Sequence, residues 1–457
     1  MISSRSAAAR SGFAVRIHVV GIGGAGMSAI AKLLQAGGHD VTGSDTGTWP
    51  LAEALARQGV AVHERFAAEH VPGTDVVLRS SAYGEDNVEV SEALHRGIPV
   101  WKRADAWRFL ARGKRVIAVA GTHGKSTTTA LVWSALRAGN VDASLICGAV
   151  LRGLGSNAHA GTTDVLVIEA DEYDNTFHAL QPLIAVVTTV DHDHVDMFPT
   201  RESYRDAFRV FVRGLVPRGI LVTCRDDDGA RDLAEYTKTA VERDVLTYGT
   251  DARADLRVSR SGGTEYAPGV YALGDTVVAL QIPGQHNALN AAGAFLAAHT
   301  FGVRKDEAAL GVSEFLGVER RLEPLGSAAG VRVVDDYAHH PAEIAAGLDA
   351  FENAVVVFQP HTPSRLARFF DEFVTVLGRA RAVVIVETFS SARERPETVS
   401  RAMALAEAVG GRYARDGEEA ARIAADLVGP GDVVLVMGAG DVRPVGQRVL
   451  ELLRTPV

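Results

Sequence analysis

Two stretches of this chain repeat one local plan: a Val- and Ile-rich strand end, a glycine turn, then a helix. The first, "VVGIGGAGMSAIAKLL", runs from Val19 to Leu34, and the second, "AVAGTHGKSTTTALVWSAL", from Ala118 to Leu136. A glycine turn that feeds directly into a helix leaves the first-turn amides without backbone partners. They lie at the positive end of the helix dipole, where an anion is favoured. Two such turns, each behind a strand, commit the chain to parallel strand–helix units with ligand groups at the carboxyl ends of the strands.

The two loops differ in what they suit. Gly21, Gly23 and Gly26 fit G-x-G-x-x-G, and Asp45 follows at about the 20-residue offset of a dinucleotide-binding unit. Spacing alone therefore leaves a nicotinamide dinucleotide open for the first loop. The second keeps Gly121-x-x-Gly124-Lys125-Ser126, although Val119 stands where a strict P-loop has its first glycine. Its lysine places a charge on phosphate oxygens and its serine hydroxyl suits Mg²⁺, so ATP is the expected occupant. Downstream, Glu169 ends the strand-like run "VLVIEAD", and Asp191, Asp193, His194 and Asp196 follow another, "LIAVVTTV". Mg²⁺ takes few protein ligands and keeps waters, so Ser126, Glu169 and His194 are the expected set.

Strand-like runs alternate with helix-period segments from end to end, which predicts an α/β fold in three domains at 1–107, 108–316 and 317–457. The third block holds "VRVVDDYAHH", "AVVVFQP", "AVVIVET" and "DVVLVMGAG". "ARGKR" and "LGVERRLE" read as linkers, and "SRSGGTEYAPG" as a hairpin tip. A net charge of −9 argues against a broad nucleic-acid surface, and two cysteines are too few for a disulfide framework. The opening "MISSRSAAARSGF" has no apolar h-region and reads as a frayed tail, and no run approaches a membrane span. A cytoplasmic chain without membrane or nucleic-acid partners, monomeric or weakly dimeric, is expected.

In order, "GIGGAGMS", "GSD", "SSA", "AGTHGKST", "NAH", "EADEYD", "DHDHVD", "GQHNALNA", "GVERRLE", "VDDYAHHP", "FQPH" and "MGAGD" resemble the Mur ligases across nearly the whole length. The nearest likeness is to the branch that adds L-alanine to UDP-N-acetylmuramate. The resemblance implies an N-terminal Rossmann-like domain for the uridine nucleotide, a central P-loop ATPase-like domain and a C-terminal Rossmann-like domain for the amino acid. It assigns ATP to Gly121, Thr122, His123, Gly124, Lys125, Ser126 and Thr127, with His286, Asn287, Asn290, Arg320 and Asp336. It assigns the sugar nucleotide to Gly21, Gly23, Gly24, Ala25, Gly26, Met27, Ser28, Asp45, Phe66, Ser80, Ser81 and Asn157. Tyr337, His361 and Arg365 fall to the substrates as well. Lys125, Glu169, His194, Arg321 and His339 are the implied catalytic groups, and Asp335 and His340 share their segment. Asn287 also reads as a helix N-cap.

Four positions depart from the family pattern. Phe66 replaces a histidine that stacks on uracil, Thr362 replaces an arginine after "PH", Thr189 replaces an asparagine, and Tyr173 replaces a serine. The helix segment "YRDAFRVFVRGL" lacks the lysine that other branches carbamylate. The expected reaction is ATP-dependent joining of L-alanine to the lactyl carboxylate through an acyl phosphate. A ligase that attaches a whole peptide, a paralogue using glycine or serine, and a non-catalytic nucleotide-sugar binder are the alternatives.

Overall fold

The computed structural model describes residues 14–47, 49–194, 197–262, 269–389 and 401–454. The opening tail, Asp196 and most of the hairpin tip lie outside the described residues. The described residues form three sheets. The first comprises β1 (Arg16–Val20), β2 (Asp40–Ser44), β3 (Ala61–His63), β4 (Val76–Arg79) and β5 (Val100–Trp101), in the order β3-β2-β1-β4-β5. All four neighbouring pairs are parallel. The order reverses between β1 and β4, so the first glycine loop leaves β1 at the crevice where such sheets bind ligands.

The second sheet is built on β6 (Arg115–Ala120), β7 (Ser144–Leu151), β8 (Ser156–His159), β9 (Val165–Glu169), β10 (Ile184–Val187), β11 (Ile220–Cys224), β12 (Asp244–Gly249) and β13 (Leu256–Gly262). Strands β7, β9, β6, β10, β11 and β12 run parallel in that order. The core strands are buried on both faces, which explains their continuous apolar runs. The second loop leaves β6 between β9 and β10, again at a reversal of strand order. Strand β8 pairs antiparallel with β7, an edge hairpin that the sequence did not reveal. Two short strands, β14 (Val270–Leu273) and β15 (Thr276–Ala279), follow.

The third sheet holds β16 (Glu323–Ala328), β17 (Val331–Asp336), β18 (Val355–Phe358), β19 (Ala382–Val386), β20 (Arg412–Ala414) and β21 (Val433–Met437), in the order β16-β17-β21-β18-β19-β20. Only β16 is antiparallel, through its hairpin with β17. Apolar side chains cover both faces of this sheet.

Three blocks in sequence become two compact units in space. One takes the chain up to Ser259 with Ala272–Val278 and Leu289–Phe315; the other takes Arg260–Tyr271, Ala279–Ala288 and the chain from Leu316. The first two sheets share a unit because one apolar core runs through both, from Ile17 and Leu34 to Phe177 and Phe208. The helix Ala25–Ala36 is joined to the second sheet by Lys32 Nζ on Ser156 Oγ, 2.8 Å, and by Asn157.

A buried carboxylate braces the first sheet. Glu89 is fully buried and accepts from Ser44 Oγ and from the Ala67 amide at 3.1 Å. His70 Nδ1 lies 2.7 Å and His18 Nε2 3.4 Å from its Oε1. Burial alone would raise its pKa, but hydrogen bonds from His18, Ser44 and His70 prevail and hold it at about 2. A carboxylate depressed in the fold contributes stability above its unfolded pKa and loses it as pH falls toward the folded value. Glu89→Ala should therefore cost about 3–5 kcal/mol at neutral pH in chemical denaturation, because it strands the polar groups gathered on one buried charge. The penalty should shrink between about pH 4.5 and pH 2. A penalty that stays constant through that interval contradicts the assignment.

Candidate active site

The first glycine loop is braced from below. Gly21 and Ile22 amides donate to the Ser44 carbonyl, and the Gly23 amide to Asp45 Oδ2 at 2.8 Å. The other oxygen of Asp45 accepts from Thr46 N, 2.8 Å, and Tyr83 OH, 3.2 Å. Asp45 is thus buried and engaged by the loop itself, unlike an acid presented to a ribose. Gly21 has φ +81°, and a Cβ there would meet Tyr83 Cε2 at 2.7 Å. Gly24 starts the helix Ala25–Ala36 with no side-chain cap and no acid in its first turn. The start of that helix is electropositive, as an anion site requires.

The side chains assigned to this loop divide. Met27 is buried in the core, and Ser28 Oγ donates to the Ala25 carbonyl. Asn157 Nδ2 donates to Ala25 O, 2.7 Å, and Ser28 Oγ, 3.2 Å, so Asn157 fastens the helix start to the second sheet. Ser80 caps the turn through Ala82 N, 3.3 Å, and Ser81 is exposed. Phe66 packs edge-on against Tyr83, with ring centroids 4.7 Å apart. An aromatic pair stands beside the loop where the sequence offered one ring.

The second loop carries the stronger electrostatics. Gly124 has φ +78°, and a Cβ there would lie 2.5 Å from Asn290 Oδ1, which places Asn290 beside the loop. Lys125 Nζ folds back onto Gly121 O, 2.6 Å, and Thr122 O, 3.1 Å, and pairs with Glu172 Oε1 at 3.0 Å. Burial alone would lower the lysine pKa; Glu172, Asp171 and Glu169 raise it above the ordinary value. Ser126 Oγ lies 3.0 Å from Glu169 Oε1. The Thr122 hydroxyl donates to Asp191 O and meets Tyr204 OH at 2.9 Å, while Thr127 is buried. Thr189 Oγ1 accepts from the His123 amide, 3.0 Å, so the threonine hydroxyl supplies a loop contact of its own.

His194 Nε2 lies 3.3 Å from Glu172 Oε1, and the Tyr173 ring sits edge-on to it at 5.2 Å. Burial lowers the His194 pKa, and hydrogen bonding to Glu172 with the charge of Asp193 outweighs it, leaving it raised. Asp171, Glu172 and His194 offer ligand atoms within 4.8 Å of one another. Glu172 and Tyr204, whose OH lies 3.2 Å from Glu172 Oε1, escaped the sequence reading. Glu172 was visible inside "EADEYD", whereas Tyr204 reads as an ordinary core aromatic. Glu172 Oε2 is buried and has no hydrogen-bond partner. An orphaned buried carboxylate oxygen grouped with Asp171 and His194 is donor chemistry of the hard, oxygen-rich kind that Mg²⁺ takes. The expected ligands Ser126 and Glu169 pair with each other and are not part of that group.

The second unit gathers the groups after β17. Asp336 is buried and accepts from Leu322 N, 3.1 Å, and Ala338 N, 2.7 Å. Arg321 pairs with Glu343 at 3.0 Å, and Arg320 donates to the carbonyls of Gly438, 2.7 Å, and Gly440, 3.2 Å. Both guanidinium groups lie over the Tyr337 ring, at 4.9 Å and 5.5 Å. Asp335 is bound by Arg443 at 2.7 Å. His340 accepts from Ala342 N and caps the helix Pro341–Ala350, a structural role. His339 and His361 rings lie 5.7 Å apart, with His361 stacked on Phe389. Arg365 lies on the short helix that follows Thr362, which has φ +66°. Asn287 lies two residues inside the helix Gln285–Phe301 and donates to Pro283 O, so it does not occupy the N-cap position the sequence suggested. Burial and Arg321 push the His286 pKa down to about 4.

Three family models match in sequence order: the Mur ligase family catalytic domain at 16–115, the Mur ligase middle domain at 119–298 and the Mur ligase glutamate ligase domain at 320–440. The UDP-N-acetylmuramate–L-alanine ligase of Paenarthrobacter aurescens is 39% identical over 96% of this chain and 97% of its own length. The chain belongs to the Mur ligase family. The corresponding ligase of Saccharopolyspora erythraea is 42% identical over 95% of this chain and 92% of its own. Among solved structures, the UDP-N-acetylmuramate–alanine ligase of Thermotoga maritima matches this Mur ligase with a TM-score of 0.79 and 26% identity, over 96% and 99% of the two chains. A murein peptide ligase from Psychrobacter arcticus shares the fold at 23% identity and a TM-score of 0.72.

In the second unit, burial and the charge of Glu343 outweigh Arg321 and raise the Asp336 pKa to about 6, from an ordinary 3.8. A carboxyl raised in the fold favours the folded state fully below its unfolded pKa and loses that contribution as pH rises through 6. The thermal midpoint of Asp336→Asn should therefore gain on that of the native chain between about pH 4 and pH 6, then run parallel. A gap independent of pH contradicts the shift.

Proposed function

We propose that this Mur ligase joins L-alanine to the lactyl carboxylate of UDP-N-acetylmuramate with hydrolysis of ATP to ADP and phosphate. The observation that carries this reading is the pair of loops on separate sheets, the second with a lysine neutralised by a buried carboxylate. ATP belongs to Gly121–Thr127, and UDP-N-acetylmuramate to Gly21–Ser28 with Phe66 and Tyr83 at the base. The amino acid belongs to the second unit, through His361, Arg365 and the groups of β17. A nicotinamide dinucleotide on the first loop fits poorly, because Asp45 is already engaged. The boundaries 1–107, 108–316 and 317–457 are the proposed division of labour, and a cytoplasmic site of action fits its nucleotide substrates. Among the described residues, no helix is long and apolar enough to cross a membrane.

A carboxylate is a poor electrophile, so it is first phosphorylated. A lactyl oxygen attacks the γ-phosphorus, the bond to the β–γ bridging oxygen breaks, and ADP leaves. The alanine nitrogen then attacks the carbonyl carbon of the acyl phosphate, the tetrahedral adduct expels phosphate, and the nitrogen loses a proton. Reactants and adduct are anionic throughout, so positioning and charge neutralisation do most of the work. Lys125 exchanges Glu172 for phosphate oxygens. Ser126, Glu169, Glu172 and His194 would hold Mg²⁺, which when bound supplies charge neutralisation at the transferring phosphoryl. Arg321 and His339 remain candidates on the amino-acid side.

Removing Lys125 removes a preorganised cation, so Lys125→Ala should lower kcat by about 10²–10³-fold in a phosphate-release assay. Unchanged kcat contradicts the role. In the same assay, release by the native chain should require both UDP-N-acetylmuramate and L-alanine. Faster release with a tripeptide, glycine or serine would transfer the assignment to those alternatives.

A further inference from the structure

Arg103 opens the helix Arg103–Leu110, just after β5, and nothing in the motifs marks it as functional. Its side chain lies between the two phosphate loops of the first unit. One guanidinium nitrogen, Nη2, is held by Asp171 Oδ2 at 2.8 Å, Thr176 Oγ1 at 3.2 Å and Tyr173 O at 3.5 Å. The guanidinium carbon lies 5.4 Å from the centre of the Trp107 ring, which fixes the plane of the group. The other terminal nitrogen, Nη1, is the one nearest the first glycine loop. It lies 3.5 Å from the point where a Cβ on Gly26 would stand, over the start of the helix Ala25–Ala36. That first turn carries no acid to neutralise it.

We infer that Arg103 is a substrate-binding residue, holding the diphosphate of the sugar nucleotide on the first loop through Nη1 while Nη2 stays on Asp171. The inference rests on the assignment of that loop to a uridine nucleotide. Three features support it. A glycine at position 26 leaves room for a phosphate oxygen between the helix start and the guanidinium. Arginine presents two separate donor edges, so one can remain on a carboxylate while the other takes an anion. Asp171 in turn belongs to the Asp171–Glu172–His194 cluster beside Lys125, so the contact ties the first loop to the second. Sequence reading passed over Arg103 because a lone arginine at a helix start reads as a solvated surface charge.

The test compares ligands that differ only in the diphosphate. Binding of UDP and of uridine is measured calorimetrically to the native chain, Arg103→Met and Arg103→Lys, with KM values for UDP-N-acetylmuramate and ATP alongside. A lost charge-assisted contact should weaken UDP by about 10–100-fold in Arg103→Met, with uridine changed less than about 2-fold. KM for UDP-N-acetylmuramate should rise in step, KM for ATP should hold, and Arg103→Lys should recover part of the loss. Equal weakening of UDP and uridine would mean that Arg103 only supports the fold, and unaltered UDP binding would mean that it does not reach the phosphates. Either result overturns the inference and leaves the first-loop assignment standing. Failure of the native chain to prefer UDP over uridine would overturn both.

Discussion

The pairing of Lys125 with Glu172 is the contact on which the proposed chemistry depends. A lysine in a confined loop would lose its charge if burial were the sole influence on it, and an uncompensated buried glutamate would be equally costly. Each makes the other tolerable, and His194 and Tyr204 close on the same carboxylate. The loop is therefore already organised for a polyanion, with a cation in place and a carboxylate oxygen without a hydrogen-bond partner. Preorganisation of this kind reduces the rearrangement needed when charge develops.

The first loop is organised by different means. It has no lysine, and its shape is fixed by Asp45, Ser44 and, one step removed, Glu89, which draws Ser44, Ala67 and His70 onto the same buried charge. Rigidity here comes from hydrogen bonds beneath the loop, while Arg103 stands over the helix start above it. The contrast fits the two roles: a diphosphate that stays intact needs a shaped cradle, and a phosphoryl that transfers needs cations at the reacting group.

Much of this is legible in the sequence. Strands buried on both faces give uninterrupted Val/Ile runs, and β1, β4, β6, β9, β10, β17, β18, β19 and β21 stand where those runs lie. The glycine loops were equally plain, because their spacing is set by a turn. The antiparallel pieces β8 and β16 were not, being short edge strands whose residues carry no strong period. The side chains that complete the sites were hidden for another reason. Glu89, Tyr204 and Arg103 act through partners remote in sequence, and Glu89 reads locally as the first turn of a capped helix. His340 shows the converse, a conspicuous histidine in a motif whose ring caps a helix. Three blocks with one shared core between the first two could not be counted as two units from sequence, since that core forms only when the sheets pack.

The proposed reaction needs two separate anion cradles with different occupants. The most direct measurement is a crystal structure of the full chain with UDP-N-acetylmuramate and a non-hydrolysable ATP analogue present together. It should place the diphosphate of the sugar nucleotide on the amides at Gly23–Met27 and the triphosphate across Gly121–Thr127. A triphosphate on the first loop, or a second loop that leaves the analogue unbound while the first is filled, would contradict it.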